Sequence, residues 1–307
     1  MRDEHLHCGE ARLIARDNDR PLHDVLAESA GDGTTLLVIE DPAEPSLRGM
    51  WSTPLLEYHG GADVVLGWLR LEAQELLAYA NRAVAMLRRP AQPAQTVALL
   101  GPREQRYVDL LDQLVIAAES TRELVPFNWG AERLARHHLA RALRQGAGAA
   151  IYTGHGSAGG WFAYGGVSAD ALANGPMPAD DESIGVVFSL ACRTGQTSRV
   201  TGTGAMSQRR GLADEISRCG IAGAVLAPVG DSLHEDNRVL AGTLIRALGS
   251  GMRTCADIVR ASHADGACLD GYVIVGDPAM PVAGAPGARE RCATIFAPAR
   301  DAGLTRA

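Results

Sequence analysis

The sequence predicts a three-layer α/β/α sandwich around a mostly parallel sheet of about six strands, with a small α/β region before it. Three observations carry that expectation. From Thr96 to Val275, short apolar runs alternate with stretches of helical period. Most of the runs are apolar without alternation, as strands buried on both faces should be. At 46% hydrophobic and 21% charged residues, the 307-residue chain can bury a sizeable core.

Residues 1–92 read as a separate N-terminal α/β region. Ala11–Ala15 and Thr35–Ile39 are expected strands, and Glu40-Asp41-Pro42 closes the second. From Ala62 to Arg89 apolar positions recur at helical spacing, and Pro90 ends the helix. His5, His7 and Cys8 look superficially metal-like, but three such residues at a terminus without distant partners do not make a site.

The main domain spans 95–282. Thr96–Leu100, Glu123–Phe127, Ala149–Thr153, Ile184–Ala191, Ile221–Pro228 and Tyr272–Val275 are its strands. Helices are expected at Glu104–Glu119, Ala131–Gln145, Ala205–Arg218, Asp231–Leu248 and Thr254–Ala264. Gly159–Ser183 is too long for an idle connection and reads as functional. Residues 283–307, rich in Pro, Gly, Ala and Arg, read as a flexible tail.

Net charge is −7 at pH 7, and no basic block or aromatic-basic face appears, which argues against a nucleic-acid partner. No apolar run approaches the ~18 residues of a membrane span. Six scattered cysteines without CxxC spacing, and no apolar segment after Met1, point to a reducing cytoplasm. No metal or cofactor is expected.

Two strand ends stand out. Ala149-Ala150-Ile151-Tyr152-Thr153 runs into Gly154-His155-Gly156-Ser157, and Val186-Val187-Phe188-Ser189-Leu190-Ala191 runs into Cys192-Arg193-Thr194-Gly195. Neighbouring parallel strands deliver their C-terminal ends to one edge, so His155 and Cys192, 192 − 155 = 37 residues apart, can meet there. That is the layout of a thiol nucleophile with an imidazole partner. Against it stand a buried structural cysteine and a histidine in a glycine-rich turn.

Two decoys compete. Gly154 to Gly159 spells GxGxxG after a strand, but no helix opens there as a dinucleotide site requires. Gly230-Asp231-Ser232-Leu233 follows a strand as in GDSL-type serine esterases, yet the late His263 has Arg260, not an aspartate, three residues before it. Ser232 reads as an N-cap or pocket residue instead.

With both strand ends in view, and with Tyr272-Val273-Ile274-Val275-Gly276-Asp277-Pro278-Ala279 near the end, Thr96 to Val282 resembles the caspase-like (clan CD) cysteine peptidases. The resemblance is to their gingipain-like and CHAT-domain group. It covers about three-fifths of the chain; Arg193 departs from the family's usual asparagine, and residues 1–90 have no match, although some relatives carry a degenerate caspase-like lobe there. It implies a caspase-like fold, His155 as general acid/base, Cys192 as nucleophile, and the N–H groups of Gly156 and Cys192 as oxyanion donors. By the same resemblance Asp231 would bind the basic residue before the scissile bond, giving cleavage after Arg or Lys. The alternative to that pocket role is that Asp231 caps its helix. The resemblance also implies a protein substrate, such as one encoded by a neighbouring gene, a regulatory role in defence or cell death, and self-processing at Arg199, Arg209 or Arg210. A catalytically silent CHAT-like scaffold is the alternative of another class, and the serine esterase is the third.

Overall fold

The computed structural model describes residues 24, 34–42, 46–48, 53–58, 62–92, 94–174, 182–199 and 208–296. Ala11–Ala15 and His5 to Cys8 therefore lie outside the described residues.

The strands that position the site form one sheet. They are β1 (Thr35–Ile39), β2 (Leu55–Tyr58), β3 (Ala62–Leu69), β4 (Gln95–Leu100), β5 (Leu124–Asn128) and β6 (Ala149–Thr153). A small hairpin sheet follows, β7 (Gly156–Ser157), β8 (Gly160–Trp161) and β9 (Val167–Ser168), then β10 (Ile184–Leu190). The ribbon β11 (Ser198–Arg199) and β12 (Gln208–Arg209) precedes β13 (Ala222–Pro228) and β14 (Tyr272–Gly276). The main sheet has nine strands in the order β1-β3-β14-β13-β10-β6-β4-β5, with β2 on β3. All pairs are parallel except β13–β14 and β2–β3.

Alternate strand residues serve two cores, as the two-residue period of a strand requires. Ala98 and Leu100 of β4 face one, with Trp129, Trp161 and Ile216. Val97 and Leu99 face the other, with Leu111, Leu244 and Ile258. Helices α1 (Ala73–Leu87), α2 (Gln105–Glu119), α3 (Arg136–Ala142), α4 (Ala169–Ala173), α5 (Leu212–Arg218), α6 (His234–Gly249), α7 (Cys255–Ala264) and α8 (Ala288–Ala293) cover the sheet. Leu110, Leu240 and Val259 place α2, α6 and α7 on one face; Leu139, Leu212 and Cys292 place α3, α5 and α8 on the other. The expected mostly parallel three-layer sandwich is the fold observed.

The differences have local causes. Residues 62–69, expected as the start of a long helix, form β3, and only Ala73–Leu87 is helical. Val64 to Leu69 are buried apart from Gly67's missing side chain, so the run is apolar on both faces and its period cannot tell strand from helix. β3 pairs with β14, so the sheet continues across residues 91–95 into the N-terminal strands. Helix α3 spans Arg136–Ala142 and α5 begins at Leu212, both shorter than their patterns. In the 283–307 segment, Ala285, Ala288, Cys292 and Ile295 are buried, and 297–307 lie outside the described residues.

Residues before the main domain grip α5, the first helix after the Cys192 loop. The Arg48 guanidinium forks onto Asp214 at 2.7 and 2.8 Å, with side chains only 3% and 5% exposed. Arg82, also buried, donates to the carbonyls of Ser217 and Arg218. Removing one partner of such a pair leaves a buried charge uncompensated. We expect Asp214→Ala to lower unfolding free energy by about 3–5 kcal/mol, read from urea denaturation. A change below about 1 kcal/mol would mean that Arg48 finds water in its place.

Candidate active site

Parallel pairing sets the site. β6 and β10 run in register from Ala149↔Val186 to Thr153↔Leu190, and the Gly154 N–H donates to the Leu190 carbonyl at 3.3 Å. Two residues further along each strand stand His155 and Cys192. They therefore leave the sheet side by side at its C-terminal edge, where open α/β sheets bind ligands.

The turn is held tightly on the histidine side. The Tyr152 hydroxyl donates to the His155 carbonyl at 2.9 Å, and the Phe162 N–H donates to the same oxygen at 3.1 Å. Tyr152 stacks on Trp161, centroids 4.5 Å apart. The Trp161 Nε1–H donates to Ser189 Oγ at 2.8 Å, and Ser189 Oγ lies 2.9 Å from Thr194 Oγ1. One hydrogen-bonded column thus ties the histidine hairpin to the strand and loop that carry Cys192. Gly156 has its own reason. A Cβ there would sit 2.8 Å from Thr194 Cγ2 and 2.9 Å from Ala191 Cβ, so only glycine lets the two turns touch.

His155 is exposed and meets three groups that sequence reading missed. Its Nε2 lies 2.9 Å from Arg106 Nη2 and 3.4 Å from Glu104 Oε2. Arg106 also donates to Glu104 at 3.0 Å and lies over the Tyr107 ring, 4.7 Å from its centroid. Tyr107 meets His155 and His234 edge-on, at 5.6 and 5.0 Å. A guanidinium can only donate and a carboxylate only accept, so the Arg106 contact suits Nε2 as acceptor, the Glu104 contact suits Nε2–H as donor, and the two neighbours favour opposite tautomers. Once the ring is protonated, Glu104 is the acceptor in reach of Nε2–H. Burial, and then the Arg106 charge, hold the His234 imidazole below its ordinary pKa, which favours its neutral form at pH 7. Glu104, Arg106 and Tyr107 carried no signal in the chain because a helix start with mixed charge is ordinary.

Cys192 is half-buried. Its Sγ accepts from the Ser232 N–H at 3.5 Å and lies 3.6 Å from the Ser232 carbonyl oxygen and 3.9 Å from Ser232 Oγ. Asn237 Nδ2 holds Ser232 Oγ at 3.0 Å and the Leu190 carbonyl at 3.2 Å, and the Tyr272 hydroxyl donates to Asn237 Oδ1. Among the described residues no acceptor takes the Cys192 N–H, so it is free for another. Three of the other cysteines differ. Cys219, Cys255 and Cys292 are buried, and burial pushes their thiols up, Cys219 to about 11 and Cys292 to about 12. Such thiols are inert at neutral pH.

Of the two roles expected of Ser232, N-cap or pocket residue, it does not take the first. Leu233 holds that position, and no side chain caps α6. Its Oγ touches Cys192 and Asn237, and among the described residues no histidine bonds it, so the serine-esterase arrangement is missing. Asp231 does not cap the helix either. Its carboxylate receives a two-pronged bond from Arg193, Nε to Oδ1 at 2.9 Å and Nη2 to Oδ2 at 3.0 Å. Both side chains are exposed, and Arg193 holds a left-handed φ of 61°. Of the three expected cleavage arginines, Arg210 is clamped by Glu75 at 2.8 and 2.7 Å. Arg199 and Arg209 lie on the β11–β12 ribbon, and 200–207 are outside the described residues. Among the described residues no group of three or more His, Cys, Asp or Glu side chains could hold a metal.

A profile of peptidase family C25 matches residues 72–283. The chain belongs to that family. It is therefore a caspase-like cysteine peptidase of clan CD. The fold agrees. The crystal structure of the Arg-specific cysteine proteinase gingipain R (RgpB) superposes with a TM-score of 0.60 at 15% identity, over 86% of this chain and 68% of that one. The complex of Porphyromonas gingivalis RgpB pro- and mature domains gives 0.60 and 15%, over 84% and 68%. No curated protein matches the chain in sequence. The C25 match begins at Glu72, just before α1, and the C25 peptidase described here carries β1 to β3 ahead of it on the same sheet.

The Gly156 contact yields a direct test. Gly156→Ala must push the hairpin off the Cys192 turn by a few tenths of an ångström or more. We expect peptidase kcat/KM to fall about 10²-fold, the usual result of a near-ångström misplacement of reacting groups. Unchanged turnover would show that the two turns can slide apart freely.

Proposed function

We propose that the chain is an endopeptidase that cleaves proteins after arginine, with Cys192 as nucleophile and His155 as proton carrier. One observation carries this reading above the rest: the β6–β10 register leads both residues to the same edge, with Gly156 pressed against the Cys192 turn.

The chemistry follows from the groups present. His155 takes the Cys192 proton, and the thiolate attacks the scissile carbonyl carbon. The oxyanion would be met by the free Cys192 N–H and by that of Gly156. Collapse breaks the C–N bond as the imidazolium protonates the leaving amine. Water, deprotonated by His155, then hydrolyses the thioester and frees the thiol. Glu104, at 3.4 Å from Nε2, suits the role of stabilising the imidazolium between these steps.

Arginine selection is assigned to Asp231. Its carboxylate already holds a guanidinium in fork geometry, that of Arg193, which lysine could not copy. An exposed pair of this kind is weak and exchangeable, so a substrate arginine would displace Arg193. The name of gingipain R, an Arg-specific cysteine proteinase sharing the fold, supports arginine as the residue selected. The reading includes self-processing on the β11–β12 ribbon, at Arg199 or Arg209 rather than the clamped Arg210. It also keeps a regulatory role in the cytoplasm, acting on a protein encoded nearby. Kinship with CHAT-domain proteins would make it bacterial. Among the described residues, no helix is long and apolar enough to cross a membrane.

Exposure to an arginyl chloromethyl ketone, followed by peptide mapping, should place the label on Cys192, and Cys192→Ala should abolish both label and turnover. Label on another residue would overturn the dyad. Arg193→Asn should lower KM for arginyl substrates several-fold by removing the internal competitor, while Asp231→Ala should erase the preference for arginine over neutral residues. Intact arginine preference in Asp231→Ala would remove that residue from the pocket. Self-processing should appear as two fragments on a denaturing gel, absent in Cys192→Ala; a single band from active enzyme would count against it.

A further inference from the structure

Beside His155 lies a cavity of about 510 Å³, framed by the turn after β4, the residues leading into α3 and the short helical turn Ala163–Gly165. Its walls include Arg103, Glu104, Leu134, Arg136, Phe162 and Tyr164. That volume falls within the range of small ligand sites and is ample for one side chain. Glu104 belongs to this wall and also reaches His155 Nε2, so the cavity opens directly beside the histidine.

Its charge is lopsided. The Arg103 Nε donates to the Ala131 carbonyl at 2.7 Å, which orients the guanidinium and, among the described residues, leaves its terminal amino groups without a hydrogen-bond acceptor. Among the described residues, the Arg136 side chain's hydrogen bond goes to the Gly165 carbonyl, at 3.3 Å. Among the described residues neither arginine is paired with a carboxylate, and Glu104 is already engaged by Arg106. The wall is otherwise apolar: Leu134 is buried, and Phe162 turns 60% of its surface outward. Tyr164 sustains a left-handed φ of 59°, held by its hydroxyl's 2.6 Å bond to the Trp129 carbonyl. A strained residue so restrained keeps the turn in one shape.

Position says which part of a substrate would arrive here. The sheet order is β10, β6, β4, so Cys192 lies on one side of His155 and the cavity on the other. Because the imidazole must reach the leaving amine to protonate it, the leaving-group peptide would lie on the His155 side of the scissile bond, the side on which the cavity opens. We infer that the cavity is a subsite for an acidic side chain, Glu or Asp, in the leaving-group part of the substrate. The two guanidinium groups receive the carboxylate, and Phe162 and Leu134 flank its methylenes. This rests on the His155/Cys192 reading above.

Peptides with arginine before the scissile bond, carrying Glu or Gln in turn at the three positions after it, test the assignment. At one of those positions Glu should exceed Gln by about tenfold in kcat/KM, the usual scale of a hydrogen bond to a charged group. Arg103→Ala/Arg136→Ala should bring the ratio near one, without slowing the Gln peptides or the labelling of Cys192 by an arginyl chloromethyl ketone, which has no leaving peptide. Arg136→Gln, which removes a charge and disturbs only one exposed contact, should lower the ratio while leaving the fold intact. Equal rates for Glu and Gln at all three positions would overturn the subsite, as would a preference that survives in the double variant or a loss of Cys192 labelling with it. Failure of the unaltered protein to label at Cys192 would instead remove the dyad on which the subsite rests.

Discussion

The parallel register between β6 and β10 is the constraint on which the rest of this molecule depends. Parallel strands leave their C-terminal ends together, and the register here runs without a bulge to Thr153 and Leu190. A one-residue slip would turn every side chain of one strand to the opposite core. It would set Phe188 where Val187 now packs and move His155 away from Cys192 at once. The core and the site are thus fixed by the same pairing.

The supporting parts can be ordered by how directly they guard that juxtaposition. Nearest is the column Tyr152, Trp161, Ser189 and Thr194, which joins the hairpin after His155 to the loop after Cys192. Next is the Ser232–Asn237–Tyr272 network, which lines Cys192 from β14 and the start of α6. Furthest out, Arg48, Glu75 and Arg82 hold the segment that returns from the Cys192 loop into α5. The N-terminal strands are therefore tied both to the sheet, through β14, and to the loop most exposed to the substrate.

The balance of charge around His155 has a consistent logic. A guanidinium and a carboxylate, Arg106 and Glu104, both reach its Nε2, and they pair with each other. The same edge carries Arg193 on Asp231 and, among the described residues, two arginines without a carboxylate partner over the cavity by Phe162, a local cluster of guanidinium groups in a chain whose net charge is −7.

Much of this was legible in the chain. Alternation of apolar runs with helical periods is a local property, and it determined the sandwich, the six strands from Gln95 to Gly276 and the two strand ends bearing His155 and Cys192. Gly156 was visible as a glycine, but its reason, a turn pressed on Ala191 and Thr194, is a contact between residues far apart in sequence. The strand at Ala62–Leu69 was misread because a segment buried on both faces has no period to read. Arg106, Glu104 and the Arg193–Asp231 fork belong to tertiary structure for the same reason. Long polar side chains reach several ångströms in any direction, and only the assembled sheet edge decides which charges they meet.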